Sequence, residues 1–317
     1  MNYDIISVGS GLVDSFIYTN VKEHNNQISF KVGTKILIKK IDFAIGGGGF
    51  NTSVTISKLG LKSAILTKIG SGFNSHIILN ELKKHNISFI GKESKEHTGY
   101  SIILETDKKH RTILTYKGAA DNLKFSELAL NKLKTKWFHL TSNGGETFKT
   151  QNKLIEFAKK NKIKISYNPS TYQIKLGANY IKNIIKNCDV LSLNKEEAEI
   201  LTNKKTDLHK TIHKLGPKIV CITDGEKPGS VYDGYYLYKF YPNKTIVNES
   251  TGAGDTFASS FVAGLIKFKD IELAIKLAMA NAESLIKSKG SKIGLLNFNK
   301  ASHLIKNKNF KVDKSII

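Results

Sequence analysis

Glu249-Ser250-Thr251-Gly252-Ala253-Gly254-Asp255-Thr256-Phe257 is the stretch around which this chain of 317 residues is best read. Two glycines flank an alanine, so successive backbone N–H groups stand clear of large side chains. Directly afterwards Ala253, Phe257, Phe261 and Leu265 recur every four residues, with Val262 and Ile266 beside them. That spacing predicts an amphipathic helix with one apolar stripe. A glycine-rich turn opening a helix offers unpaired N–H groups and the positive end of the helix dipole, which suits an anion. Asp255 stands inside that cradle, where a carboxylate repels an anion unless it acts on something else. A cradle that stabilises charge on a transferring phosphoryl group, beside an Asp that holds the attacking hydroxyl, accommodates both features. A plain helix start with Asp in its first turn is the competing reading.

Working outward, the segments before this turn alternate strand and helix. Trp137–Thr141, Ile163–Tyr167, Val190–Leu193 and Ile219–Thr223 read as strands. Helical patterns near Asn152–Lys160, Tyr180–Asn187, Glu196–Leu201 and Asp207–Leu215 separate them. Such alternation predicts a parallel sheet with crossover helices. Ser230–Asp233 and Tyr235–Tyr241 read as a meander, and Ile271–Lys287 as a second apolar helix.

The N-terminal part differs. Asp4–Val8 reads as a buried strand that runs into Gly9-Ser10-Gly11, with Asp14 just beyond. Polar residues past the C-terminal end of such a strand commonly face the ligand crevice. Phe16–Val21, Ile28–Val32 and Ile36–Ile45 alternate roughly and predict antiparallel strands, and Thr98–Leu104 with Arg111–Tyr116 predicts a hairpin. Together they predict a small β lid, about 15–45 and 98–117, projecting from one domain of 1–317. Gly46-Gly47-Gly48-Gly49-Phe50-Asn51 then leads into a helix ending at Gly60. Four consecutive glycines are costly in chain entropy, so something must approach the backbone closely there. Asn51 is either the N-cap of that helix or a hydrogen-bonding group for a polyol. Ser63–Ile69 reads as a strand and Asn74–His85 as a helix with Ile77, Ile78 and Leu82 inward.

Composition narrows the function classes. Lys+Arg 49 against Asp+Glu 27 gives +22, yet the lysines are spread over nearly every element. The short runs, such as Lys39-Lys40 and Lys83-Lys84, have no interleaved aromatics. This reads as solvated faces rather than a nucleic-acid site, with a net field that draws in a phosphorylated cosubstrate. No apolar run is long enough to span a bilayer and no signal peptide is visible, so a cytoplasmic protein without a membrane partner is expected. Cys188 and Cys221 make no metal or redox spacing and read as small core hydrophobes.

The ordered set Gly9-Ser10 with Asp14, Gly46-Gly47-x-Gly49-x-Asn51, Thr98-Gly99, Asn194-x-x-Glu197, Thr223-x-Gly225 and Gly252-Ala253-Gly254-Asp255 resembles the ribokinase-like (PfkB) sugar and nucleoside kinases. The resemblance runs from about residue 4 to 295. It implies an α/β fold, a three-layer α/β/α core with a mostly parallel central sheet and a small β-sheet lid. It also implies ATP-dependent phosphorylation of a hydroxymethyl group on a sugar, with a nucleoside as the alternative acceptor. Asp255 would be the catalytic base, and the N–H groups of Gly252, Ala253 and Gly254 the anion hole. Asp14, Gly46, Gly47, Gly49 and Asn51 would hold the acceptor, and Asn194, Thr223, Gly225 and Gly254 would line the ATP site. Glu197 would act on Mg²⁺ through the phosphates. Glu249 and Thr251 fall in the stretch where ribokinase-like members hold a monovalent cation, so K⁺ joins ATP and Mg²⁺ among the expected small partners. Many members pair through their lids, which implies a homodimer.

The chain also departs from the pattern. Ser71-Gly72-Phe73-Asn74 replaces an Asp-Asp before glycine, Glu249 replaces Asp, and Pro228 stands where Gly is usual. Met279 stands where a polar residue often contacts adenine, with Asn281 as the nearby substitute. A rival of another class is a catalytically silent sugar or nucleotide sensor, against which the intact Asp255, Gly252 and Gly254 argue.

Overall fold

Buried apolar strands of four to seven residues, joined by amphipathic helices, build the core. The computed structural model describes residues 2–19, 21–25, 27–107, 110–248, 251–288 and 292–316. The N-terminal half runs β1 (Tyr3–Val8), β2 (Leu12–Tyr18), β3 (Lys40–Gly46), α1 (Gly48–Lys58), β4 (Ser63–Leu66), β5 (Lys68–Ser71), α2 (Phe73–Lys84), β6 (Ser88–Phe89), β7 (Lys92–Glu105) and β8 (Arg111–Gly118). After three short 3₁₀ turns come β9 (Thr135–Thr141), α3 (Gly145–Lys160), β10 (Lys164–Asn168), α4 (Thr171–Lys175), α5 (Ala178–Asn187), β11 (Val190–Asn194), α6 (Lys195–Thr202), α7 (Leu208–His213) and β12 (Ile219–Asp224). The chain closes with β13 (Lys227–Tyr232), β14 (Tyr236–Phe240), α8 (Ala253–Phe268), α9 (Ile271–Ile286), α10 (Phe298–Asn307) and β15 (Val312–Ile316).

The main sheet has the order β15-β14-β13-β12-β11-β10-β9-β1-β4-β6. Strands β6 through β12 along this order are parallel, and β13, β14 and β15 add antiparallel neighbours at one edge. Side chains alternate across it. Ile6, Val8, Phe138 and Leu140 face Leu154 of α3, Ile181 of α5, Ala198 of α6 and Ile212 of α7. On the other face, Ile5, Trp137, Val190 and Cys221 meet Ile56 of α1, Phe261 of α8 and Ile275 of α9. Each such fully buried side chain contributes about 1.5–3 kcal/mol relative to an exposed one. The three-layer α/β/α core with a mostly parallel sheet is therefore as the sequence predicts. Helix α8 packs tightly on α9, where a Cβ on Gly264 would lie 2.6 Å from Ala274 Cα.

The second sheet has the order β3-β2-β7-β5, with β8 also on β7. Asp14 on β2 lies opposite Ala44 on β3 and Ser101 on β7, and Ser101 in turn lies opposite Thr115 on β8. Two local expectations fail. Ile28–Val32 is not a strand, and the described part of that region holds only a bridge between His24 and Gln27. Lysines at 22 and 31 and the turn at Gly33 leave it too few apolar partners to join the sheet. Ser63–Ile69 is two strands in different sheets, because β5 leaves the core to run beside β7, where Gly70 sits against the Thr98 N–H. Ile77, Ile78 and Leu82 of α2 do point inward, Ile77 half-buried against the core cluster that holds the other two. The terminal strand β15, exposed and charged, carries no periodicity that would have announced it.

Candidate active site

Helix α8 begins at Ala253, with Gly252 as its N-cap at φ 80. A left-handed φ of this kind is cheap only for glycine. No side chain caps this end, and the first intrahelical bond runs from Thr256 N to Gly252 O at 2.9 Å. The N–H groups of the first turn are thus left for a ligand. They border a cavity of about 260 Å³ lined by Gly252, Gly254, Asp255, Thr223, Asn194 and Glu197. The cavity sits over the C-terminal ends of β10, β11 and β12, where ligands bind in open α/β sheets. Asn168, Pro169 and Ser170, given no role from the sequence, form its far wall. Asn168 ends β10 and the other two follow it directly, and that position at a strand end is the signal that marks them.

Asn194 and Glu197 form a capping box at the start of α6. Asn194 Oδ1 accepts from Glu197 N at 2.8 Å, and Glu197 Oε2 accepts from Asn194 N at 3.0 Å. The Thr171 hydroxyl donates to Glu197 Oε1 at 2.9 Å. Burial raises the carboxyl above its ordinary value, and these hydrogen bonds hold it back. Among the described residues no three Asp, Glu, His or Cys side chains converge on a metal-sized centre. This donor set fits Mg²⁺ that arrives on a triphosphate and keeps several waters, rather than a protein-built cage.

On the other side of Asp255 stand the residues expected to hold the acceptor. Asn51 lies inside α1, whose N-cap is Gly47 at φ 95, so the N-cap reading of Asn51 is wrong. Gly47 starts the helix earlier because it alone tolerates that φ, with Ser10 O only 2.4 Å from where a Cβ would stand. Asn51 Nδ2 instead donates to Asp255 Oδ2 at 3.2 Å. Asn51 Oδ1 is buried and has no partner among the described residues. Asp14 lies beside Gly46, where an added Cβ would be 2.0 Å from Asp14 Oδ2. Gly49 packs against the Gly9 carbonyl group, at 2.5 Å from an added Cβ, so its backbone meets protein. Gly225 turns from β12 to β13 at φ 58 in open space, outside the cavity lining. Asn281 is fully buried, bonded to Ser260 Oγ at 2.8 Å and to Leu296 N at 2.9 Å, and Met279 is core. Neither reaches the cavity. Glu249 lies outside the described residues, and Thr251 is exposed.

Burial raises the Asp255 carboxyl, opposed by the Asn51 hydrogen bond and by the charge of Lys117. Burial also raises Asp14, opposed by the Ser101 hydroxyl, Lys292 and Lys117. Lys117 was not foreseen. The β7–β8 register places it opposite Gly99 and one row from Ser101 and Thr115, on the sheet face that carries Asp14. With no side chain on Gly99, the lysine has room there. If Asp255 and Asp14 serve as the expected base and acceptor ligand, both would have to be ionised to accept a hydrogen bond from a hydroxyl, and activity would fall as pH drops through their raised pKa values. Removing the Lys117 charge raises those values further. Lys117→Gln is therefore expected to move the acidic limb of both kcat and kcat/KM to higher pH. Limbs that coincide with wild type would detach Lys117 from the site.

Residues 8–297 match the family described as pfkB family carbohydrate kinase. An ATP-dependent 6-phosphofructokinase of Thermoanaerobacterium thermosaccharolyticum is 26% identical over 289 residues, spanning 88% of this chain and 86% of that protein. A deoxyribokinase of Salmonella typhi is 26% identical over 317 aligned positions, spanning 91% and 94%. The crystal structure of a ribokinase from Thermotoga maritima superposes with a TM-score of 0.83 at 23% identity, covering 96% of this chain and 100% of the other.

Proposed function

We propose, from the premise that the chain belongs to the pfkB family of carbohydrate kinases and is an ATP-dependent sugar kinase, that Asp255 directs the γ-phosphoryl of ATP onto a sugar hydroxymethyl group. The acceptor oxygen bonds to the γ-phosphorus as the bond to the β–γ bridging oxygen breaks. ADP leaves, and the hydroxyl proton passes to Asp255. Little proton abstraction is needed early in a loose transition state, so orientation is the larger part of this role. The N–H groups of Gly252, Ala253 and Gly254 meet the charge on the phosphoryl oxygens without reorganising. Asn194 and Thr223 stand on the nucleotide side, with Gly225 just outside the cavity lining. When bound, Mg²⁺ would neutralise charge on the phosphates, with Glu197 acting on it indirectly through them. Asp14, Gly46, Gly47 and Asn51 form the acceptor side, while Gly49 packs on the Gly9 backbone beneath them.

The observation that carries this reading is Asn51. One end of its amide binds the candidate base, and the other is a buried acceptor with no partner. An unpaired buried acceptor costs about 1–3 kcal/mol, which a sugar hydroxyl would relieve. The direct test is ADP release from ATP·Mg²⁺ with D-ribose, 2-deoxy-D-ribose, D-fructose, D-fructose 6-phosphate and adenosine. One sugar should drive turnover far above the rate without acceptor, and faster in K⁺ than in tetramethylammonium if the Glu249–Thr251 stretch binds a cation. Adenosine as the best substrate would move the acceptor class to nucleosides. Acceptor binding without turnover would make the chain a sensor.

Two further parts belong to the same reading. The second sheet, as a lid over the acceptor, exposes Ile41, Phe43, Leu114 and Tyr116 on one face, which a second copy would cover. Light scattering should give twice 35.2 kDa. A monomer at every concentration removes the dimer. A reducing cytoplasm suits Cys188 and Cys221, both free, with burial pushing the Cys221 thiol up to about 12. No helix among the described residues is long and apolar enough to cross a membrane.

A further inference from the structure

The acceptor turn is gripped from a segment the sequence places nowhere near it. Lys292, between α9 and α10, donates from Nζ to Ile45 O at 2.8 Å. Ile45 immediately precedes Gly46 and Gly47. The same ammonium sits 4.5 Å from the ring centroid of Phe50, which is fully buried and immediately precedes Asn51. From the far end of α1, Lys58 Nζ donates to the Lys292 carbonyl at 3.2 Å. One residue thus joins the turn after β3 to both ends of the helix that carries Asn51.

The charged groups around Lys292 are Asp14 on β2, Glu81 in α2, Lys58 in α1 and His85 at the end of α2. Glu81 is taken by Lys84 at 3.1 Å and His85 at 3.4 Å. Asp14 has no ion pair of its own among the described residues, which leaves it as the carboxylate that most needs this charge. We propose that Lys292 is a positioning residue for the acceptor, clamping the Ile45–Gly46–Gly47 turn onto α1 and supplying the positive charge that keeps Asp14 ionised. This rests on the reading that Asp14 binds acceptor hydroxyls.

Burial lowers the Lys292 ammonium to about 8, partly offset by Glu81 and Asp14. The charge is complete below that pH and lost above it, so acceptor affinity should weaken on the alkaline side. Arginine cannot lose its charge in this range, which separates charge from bulk.

The experiment is the pH dependence of acceptor kinetics for wild type, Lys292→Met, Lys292→Arg and Asp14→Asn, with the panel sugar that gives the fastest ADP release. Lys292→Met is expected to raise acceptor KM about tenfold, the worth of a hydrogen bond to a charged group, with kcat and the KM for ATP unchanged. It should shift the acidic limb of acceptor kcat/KM to higher pH and remove the alkaline limb near 8. Lys292→Arg should restore the acidic limb and also lack the alkaline one. Lys292→Gln replaces Lys292→Met if the latter does not fold. Equal KM increases in the Met and Arg variants with unshifted limbs would overturn the proposal and leave a structural pin. Asp14→Asn separates the two failures. If it raises acceptor KM while Lys292→Met does not, only the Lys292 role falls. If it leaves KM unchanged, the acceptor assignment falls and takes the proposal with it.

Discussion

Asp255→Asn is expected to lower kcat by about 10²- to 10⁴-fold, the range that one positioned base commands, while ATP binding and the melting temperature stay at wild-type values. The side chain keeps its shape and can still face Asn51. Asn51 Nδ2 now donates to a neutral carbonyl in place of Asp255 Oδ2 at 3.2 Å, or the introduced amide turns its own N–H toward Asn51 Oδ1, which is unpartnered in the native chain. Either arrangement leaves nothing to take the proton. The N-terminus of α8 keeps its free N–H groups, so the phosphate cradle survives. Equilibrium ATP binding and single-turnover kinetics check the two halves separately. Turnover near wild type would remove Asp255 as base. Loss of ATP binding together with turnover would mean that Asp255 shapes the cradle instead.

Gly46→Ala and Gly49→Ala should fail in different ways, although they are three residues apart in one glycine run. At Gly46 the new methyl group would lie 2.0 Å from Asp14 Oδ2, the mobile end of a side chain. Asp14 can rotate away, so the fold survives and the acceptor carboxylate is displaced. Misplacing a binding group by an ångström costs on the order of 10²-fold, and acceptor kcat/KM should fall by that much with ATP affinity unchanged. At Gly49 the methyl group would meet the Gly9 backbone at 2.5 Å with nowhere to move. Overpacking there costs about 1–3 kcal/mol, so the loss should show in thermal melting rather than in acceptor KM. The reverse assignment of the two losses would contradict the geometry. Asp14→Ala, which removes the carboxylate outright, should raise acceptor KM at least as far as Gly46→Ala.

The difference between these glycines bears on how much of the molecule the sequence reveals. The strand–helix alternation from Trp137 onward is local periodicity, and the parallel sheet follows from it. The turn at Gly252 is legible because one short run supplies the helix start, the φ-permissive residue and the carboxylate together. Gly46 and Gly49 could not be told apart, since what each touches is set by long-range packing. Asn51 was ambiguous for the same reason. Its local context suits an N-cap, and only the positive φ of Gly47 shows that the helix starts earlier. Lys117 and Lys292 were invisible, being two lysines among 49 basic residues. The β7–β8 register selects the first, and the packing of the segment after α9 on α1 selects the second. The error at Ile28–Val32 has the opposite cause, since its alternation was present but the flanking lysines and the turn at Gly33 leave it too few apolar partners to join the sheet.

The central claim is transfer of a phosphoryl group to a hydroxymethyl oxygen with Asp255 as base, and proton-coupled ³¹P NMR of the reaction products tests it most directly. With the best sugar of the panel, ATP and Mg²⁺, wild type should build a phosphomonoester resonance split into a triplet by the two protons of a CH₂–O–P unit, in step with ADP. Asp255→Asn should give almost none. Inorganic phosphate as the only new signal besides ADP, or equal ester from the Asp255→Asn variant, would contradict the account.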